Sequence, residues 1–230
     1  MRIAAALAAA VALIFASAAP AAAKPAPARD WSRTVAATPE GGFRMGNPAA
    51  KVKLIEYGSL ACPHCRHFEE TGYKPLVAKY VRTGRVSYEF RNLLLNSPDI
   101  AVSLLAHCAG PAKFFPMSVE VFATQPQWEA KVINLSDTQK AEIAKMDDTQ
   151  QLVRFADIAG FPRIAARYGL NTARSHQCLT DAKGLQRLLD VTAKAGDMGI
   201  DHTPTFLIDG KVVDAAVWEQ LEPLLKKAGA

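Results

Sequence analysis

The chain is sparing with metal-ligating side chains: four cysteines and five histidines in 230 residues. Beyond Cys62 and Cys65 there is no second CxxC and no HxxxH, so a closed four-ligand zinc site lacks donors at the usual spacing. Arg66, not histidine, follows Cys65 directly, which excludes the CxxCH pattern of covalent haem attachment. Blocks of like charge are also missing. The 27 Lys and Arg and 22 Asp and Glu are scattered and give a formal charge of +5, which favours solubility and implies no nucleic-acid partner. Past residue 23 no segment reaches the ~18 uninterrupted apolar residues of a membrane helix. There is no internal repeat.

What is present begins with an export signature. Residues 1–23 carry one charge, Arg2, then an Ala-rich apolar run ending in small residues. Ala21 and Ala23 fit a small-x-small cleavage rule, so a signal peptide is expected over 1–23, with cleavage before Lys24. A membrane anchor is the alternative, but the run is short and carries little bulk. No cysteine stands at the cleavage site, which argues against a lipid anchor. An exported chain meets an oxidising compartment, where disulfides persist. Residues 24–41, rich in Pro and Ala, read as a leader that is mobile or only loosely docked.

The pattern from 42 to 96 is strand, helix, strand. A short strand is expected at 42–45, a buried strand at 51–59 and another at 85–95. Between them a helix starts at the CxxC, with Pro63 suited to its first turn. Pro75 falls inside it, where a kink or restart is expected. Residues 97–196 read as helices: one opening with Ser97 as N-cap and Pro98 at its first position, then about 112–124, 138–146, 149–159, 162–168 and 173–195. Residues 197–230 hold a hairpin at 205–214 around Asp209-Gly210, then an amphipathic helix. The expected fold is α/β: a βαβ unit, a large helical insertion, then ββα.

The stretch Cys62-Pro63-His64-Cys65 carries the chemistry. A cysteine at a helix start faces unsatisfied N–H groups and the positive end of the dipole, and both favour its thiolate. His64 adds positive charge or a donor. These effects place Cys62 below the ~8.5 of a free thiol, in the ~3.5–7 range of CxxC thiols. Stabilising the thiolate stabilises the reduced form, so the Cys62–Cys65 disulfide reads as an oxidant. Cys65, one turn further in, reads as the more buried, resolving thiol. The competing readings are a metal site using Cys62, Cys65 and His67, and a structural disulfide, which at this ring size is a poor staple.

CPHC after a strand, a long helical insertion and "HTPTF" before a hairpin together resemble the DsbA-like thiol:disulfide oxidoreductases of the bacterial envelope, over nearly all of 42–228. The resemblance implies a thioredoxin fold and an enzyme whose only redox group is the Cys62–Cys65 disulfide, with no further cofactor and no metal. Pro204, preceded by Thr203, matches the cis-proline that faces the CxxC and binds substrate backbone. The residues alone show a proline one position before a strand, where an edge or turn role is the alternative. Thr203 also occurs in isomerases and reductases of this kind. Glu56 matches a buried acid that moves the Cys65 proton; its alternative is a solvated residue at the strand edge. Reduced, unfolded exported proteins are the implied clients, and a membrane quinone-linked protein the implied reoxidising partner.

Setting aside the CxxC pair leaves Cys108 and Cys178. A structural disulfide between the two ends of the helical block is expected, a feature some relatives share; two separate buried thiols are the alternative. The expected function is a monomeric periplasmic dithiol–disulfide oxidase. A disulfide isomerase or reductase of the same fold is one rival, although residues 24–41 are too few for the N-terminal oligomerisation domain such relatives carry. An envelope copper- or zinc-binding protein is the other.

Overall fold

The computed structural model describes residues 29–230. The expected signal peptide and residues 24–28 of the leader lie outside them. A six-stranded sheet runs β1 (Val35–Ala37), β2 (Phe43–Gly46), β4 (Val86–Asn92), β3 (Val52–Gly58), β5 (Thr205–Ile208), β6 (Lys211–Val213). The central pair β3/β4 is parallel and the other pairings are antiparallel. A parallel pair needs a crossover. Here it is the helical run of α1 (Pro63–Phe68), a π-turn segment Glu69–Tyr73, α2 (Lys74–Leu76) and a second π segment Val77–Val81. The Asp209-Gly210 turn closes the β5/β6 hairpin, both residues at positive φ.

Alternation along β3 sends its two faces into different packing groups. Val52 and Leu54 join Cys62, Cys65, Phe68, Leu221 and Leu225 on one side. Tyr57 joins Leu93, Val191, Ala195 and Leu207 on the other. Glu56 has the parity of Val52 and Leu54, which turns a carboxylate into the apolar layer under the CxxC helix.

Between β4 and β5 come α3 (Ser97–Cys108), α4 (Pro111–Ala123), α5 (Gln125–Ile133), α6 (Asp137–Ile143), α7 (Asp148–Ala159), α8 (Phe161–Arg167), α9 (Thr172–Leu179) and α10 (Ala182–Asp197); α11 (Trp218–Lys227) ends the chain. Cys108 and Cys178 are bonded, with Cα atoms 6.0 Å apart, tying α3 to α9.

Four departures from expectation stand out. The leader is not loose throughout: Val35–Ala37 pairs with β2 as an edge strand, and Trp31 N–H donates to the Arg82 carbonyl at 3.1 Å. Three residues are too few to show a period, although Pro39, Gly41 and Gly42 supply the turn that joins this strand to β2. The N-cap of α3 is Asn96, whose side chain accepts the Asp99 N–H, so Ser97 is already helical. At Pro75 the α pattern restarts as expected: α2 opens at Lys74 with Pro75 in its first turn, between π segments that keep the run helical. The span 173–195 is two helices, because Asp181 caps a new start by accepting the Lys183 N–H. The α5 helix went unread.

Candidate active site

Cys62 is the N-cap of α1. Its backbone is extended (φ −88°, ψ 123°), and its sulfur accepts the Cys65 N–H at 3.5 Å. In its protonated form the Cys62 thiol donates to the Thr203 carbonyl oxygen at 3.3 Å. The Thr203–Pro204 peptide bond is cis. The loop before β5 therefore meets the CxxC turn although 141 residues separate them. Pro63, His64 and His202 are exposed, Thr203 is half-buried and Pro204 is buried.

The two thiols are driven in opposite directions. The hydrogen bond from the Cys65 thiol, then those from the Thr203 side chain and the Cys65 and His64 backbone N–H groups, outweigh burial and bring Cys62 down to about 5. Cys65 is 1% exposed. Burial, its bond to Cys62 and the charge of Glu56 push its thiol well above the ordinary value. Both cysteines are free thiols here, so the structure corresponds to the reduced pair.

Glu56 is also 1% exposed, which removes the strand-edge alternative. Tyr88 Oη donates to its Oε2 at 2.6 Å. Burial nonetheless raises the carboxyl to about 8, with the Cys62 charge adding to the rise. A carboxyl titrating there can hold or release a proton near neutral pH. The Cys62 charge raises Glu56 and the Glu56 charge raises Cys65, which places the three groups in one electrostatic unit. Glu69 was missed in the sequence. Burial and the Glu56 charge push it up to about 8 as well. Its signal was the i+4 position from Cys65, one helical turn along the same helix.

The remaining histidines are elsewhere. His67 and His176 are exposed, and His107 is half-buried with Nε2 2.9 Å from Asn92 Oδ1. Among the described residues no group of three or more His, Cys, Asp or Glu could hold a metal, so Cys62, Cys65 and His67 do not form one.

A sequence profile of the family described as thioredoxin matches residues 38–227. The chain belongs to the thioredoxin family. Within it, this thioredoxin-family chain is similar to a crystal structure of protein-disulfide isomerase from Novosphingobium aromaticivorans: TM-score 0.77, 28% identity, covering 82% of this chain and 98% of that one. It is also similar to alpha-DsbA1 from Wolbachia pipientis, with TM-score 0.63, 25% identity and coverage of 80% and 89%. A Rickettsia bellii protein named as a protein-disulfide oxidoreductase is 30% identical over 86 residues, 37% of this chain and 33% of that protein. The chain thus spans about a third of the length of the curated relative it matches. The expected family and the thioredoxin fold with its helical insertion are met.

Proposed function

We propose that this chain is a thiol:disulfide oxidoreductase acting as a periplasmic dithiol oxidase, donating a Cys62–Cys65 disulfide to reduced, unfolded exported proteins. The observation that carries this reading is the asymmetry of the pair: Cys62 held down to about 5, Cys65 pushed up. A client thiolate attacks Cys62 Sγ, the Cys62–Cys65 bond breaks, and its electron pair leaves on Cys65. Glu56, protonated below about 8, supplies the proton that this sulfur takes up. A second client thiolate then attacks the client sulfur of the mixed disulfide. Cys62 leaves as its stable thiolate, and the client holds the new disulfide. Pro63 and His64 shape the exposed turn around the reacting sulfur, while Thr203 and Pro204 receive the client backbone. A quinone-linked membrane partner restores the Cys62–Cys65 disulfide. A signal peptide cleaved near Ala23 directs export, and the chain works as a monomer without metal or added cofactor.

The name of the Novosphingobium relative favours isomerase as the second reading. Equilibration with glutathione decides the direction of electron flow. An oxidase pair stays reduced even in oxidising mixtures, whereas a pair oxidised by modest amounts of oxidised glutathione overturns the proposal. Refolding of a scrambled disulfide client reads isomerase activity separately. A copper and zinc titration of the reduced protein checks the metal-binding rival.

A further inference from the structure

The three residues before Cys62 are held by the helical insertion rather than by the sheet that delivers them. Ser59 Oγ donates to Asp99 Oδ2 at 2.7 Å, and Leu60 N–H donates to Asp99 Oδ1 at 3.1 Å. Ser59 Oγ in turn accepts the Ala61 N–H at 3.0 Å, and the Ser59 carbonyl accepts the Cys62 N–H at 3.2 Å. From the other side, Gln125 Nε2 donates to the Leu60 carbonyl at 3.0 Å. The same amide's Oε1 accepts from Arg66 Nε at 3.1 Å, so one side chain grips the chain before Cys62 and after Cys65.

We infer that Asp99 and Gln125 are positioning residues for the redox pair: together they lock Ser59–Ala61 and Arg66 so that the Cys62 sulfur stays at the helix start. Both side chains are fully buried, at 0% exposure. A buried carboxylate is costly unless well bonded, and Asp99 also accepts from Leu95 N–H at 3.0 Å and Ser103 Oγ at 3.4 Å. Capping α3 does not require this carboxylate, since Asn96 already caps that helix. What Asp99 adds is the link to the CxxC turn. Gln125 opens α5, so the clamp has one jaw on α3 and one on α5, both in the insertion. The insertion is then part of the thiol's environment as well as a wall for clients. A thiolate gains from N–H groups only when it stays aligned with them.

This inference rests on Cys62 being the activated thiol, and the test separates the two. The Cys62 thiolate absorbance is titrated in the wild type, Asp99→Asn, Gln125→Ala and, as a control, Ser175→Ala. Ser175 is buried in α9 and donates to the Leu170 carbonyl at 3.3 Å, so its loss perturbs the insertion without touching the turn. We expect Asp99→Asn and Gln125→Ala each to raise the Cys62 midpoint by at least about half a unit, roughly a threefold weaker thiolate preference. The glutathione equilibrium should move by a matching factor toward the disulfide, with Ser175→Ala unchanged. Unshifted midpoints in both variants, or an equal rise in Ser175→Ala, overturn the clamp. A lower midpoint in Asp99→Asn also overturns its positioning role, because removing a nearby negative charge acts in that direction. If Asp99→Asn does not fold, Gln125→Ala and Ser59→Ala decide by the same readout. A wild-type midpoint near the ~8.5 of a free thiol instead sinks the activated-thiol reading itself.

Discussion

Cys62 and Cys65 lie three positions apart in one turn and both are buried, yet Cys62 caps the helix start while Cys65 lies one turn further in. At the residue scale this difference gives the first prediction. The absorbance of reduced protein should show a thiolate with a midpoint at about 5, and Cys62→Ser should abolish it. Glu56 gives the second. Its carboxyl is raised by burial to about 8, so the folded chain keeps a proton that the unfolded chain releases at ~4.3. The resulting stability penalty grows as pH rises from that unfolded value to about 8. Glu56→Gln should therefore stabilise the reduced protein on the order of 3 kcal/mol near neutral pH and hardly at all near pH ~4, read from urea midpoints. The same substitution should slow disulfide exchange by about tenfold or more and remove the inflection near 8 from its pH profile. The CxxC was legible as a redox pair because its spacing and helix-start position carry the chemistry locally. The burial of Glu56 was legible only as an apolar neighbourhood, Leu54, Ile55 and Tyr57. Glu69 had only its i+4 spacing from Cys65 to mark it, a weak signal because a carboxylate in a helical "FEE" ordinarily faces water.

At the scale of elements, the helix carrying the pair depends on a close approach at Gly72. A Cβ there would lie 2.6 Å from Phe68 Cε2 and 3.0 Å from Trp218 Cβ, so the π segment and α11 pack through a position with no side chain. Gly72→Ala should destabilise the fold by about 1–3 kcal/mol through overpacking, measured by chemical denaturation. The Cys108–Cys178 bond acts on another pair of elements, α3 and α9, across a separation of 70 residues. Replacing both cysteines with alanine should cost about 2–4 kcal/mol. Mass spectrometry of unreduced, thiol-blocked protein should recover the joined peptides, while alkylated Cys108 and Cys178 would count against the bond. Strands β2 to β6 were readable from alternation and turn residues, and most insertion helices from their caps and breakers. Strand β1 is too short to show a period, and it forms because β2 offers an open edge. The run through Pro75 persists because packing of Leu76 and Tyr80 in the core holds the widened turns.

For the whole molecule, redox state and stability are linked through protons. The folded Cys62 value lies below its unfolded one, so the thiolate's contribution to the reduced fold is complete above ~8.5 and is lost as pH falls through about 5. Cys65 works the other way, but its loss sets in only above the unfolded thiol value. The Glu56 penalty comes first from burial, which both forms share, and only the part due to the Cys62 charge is confined to the reduced form. The melting temperature of the reduced protein should therefore rise relative to the oxidised one between about pH 5 and ~8.5 and fall back beyond it, by calorimetry on both forms. The sequence by itself determined the redox motif, the order βαβ, helices, ββα, and the family resemblance. Each of these is written in local spacing: two cysteines a turn apart, proline and glycine at element ends, apolar periods of two or three to four. Only the tertiary structure decided which distant groups meet the sulfur. Thr203 reaches Cys62 because β5 pairs with β3. Glu56 lies beneath because strand parity and the crossover helix bury it. Asp99 and Gln125 close on the turn because the insertion folds back over it. Burial and alignment set how far a thiol departs from its ordinary acidity, and both depend on contacts between residues tens of positions apart, which no local pattern records.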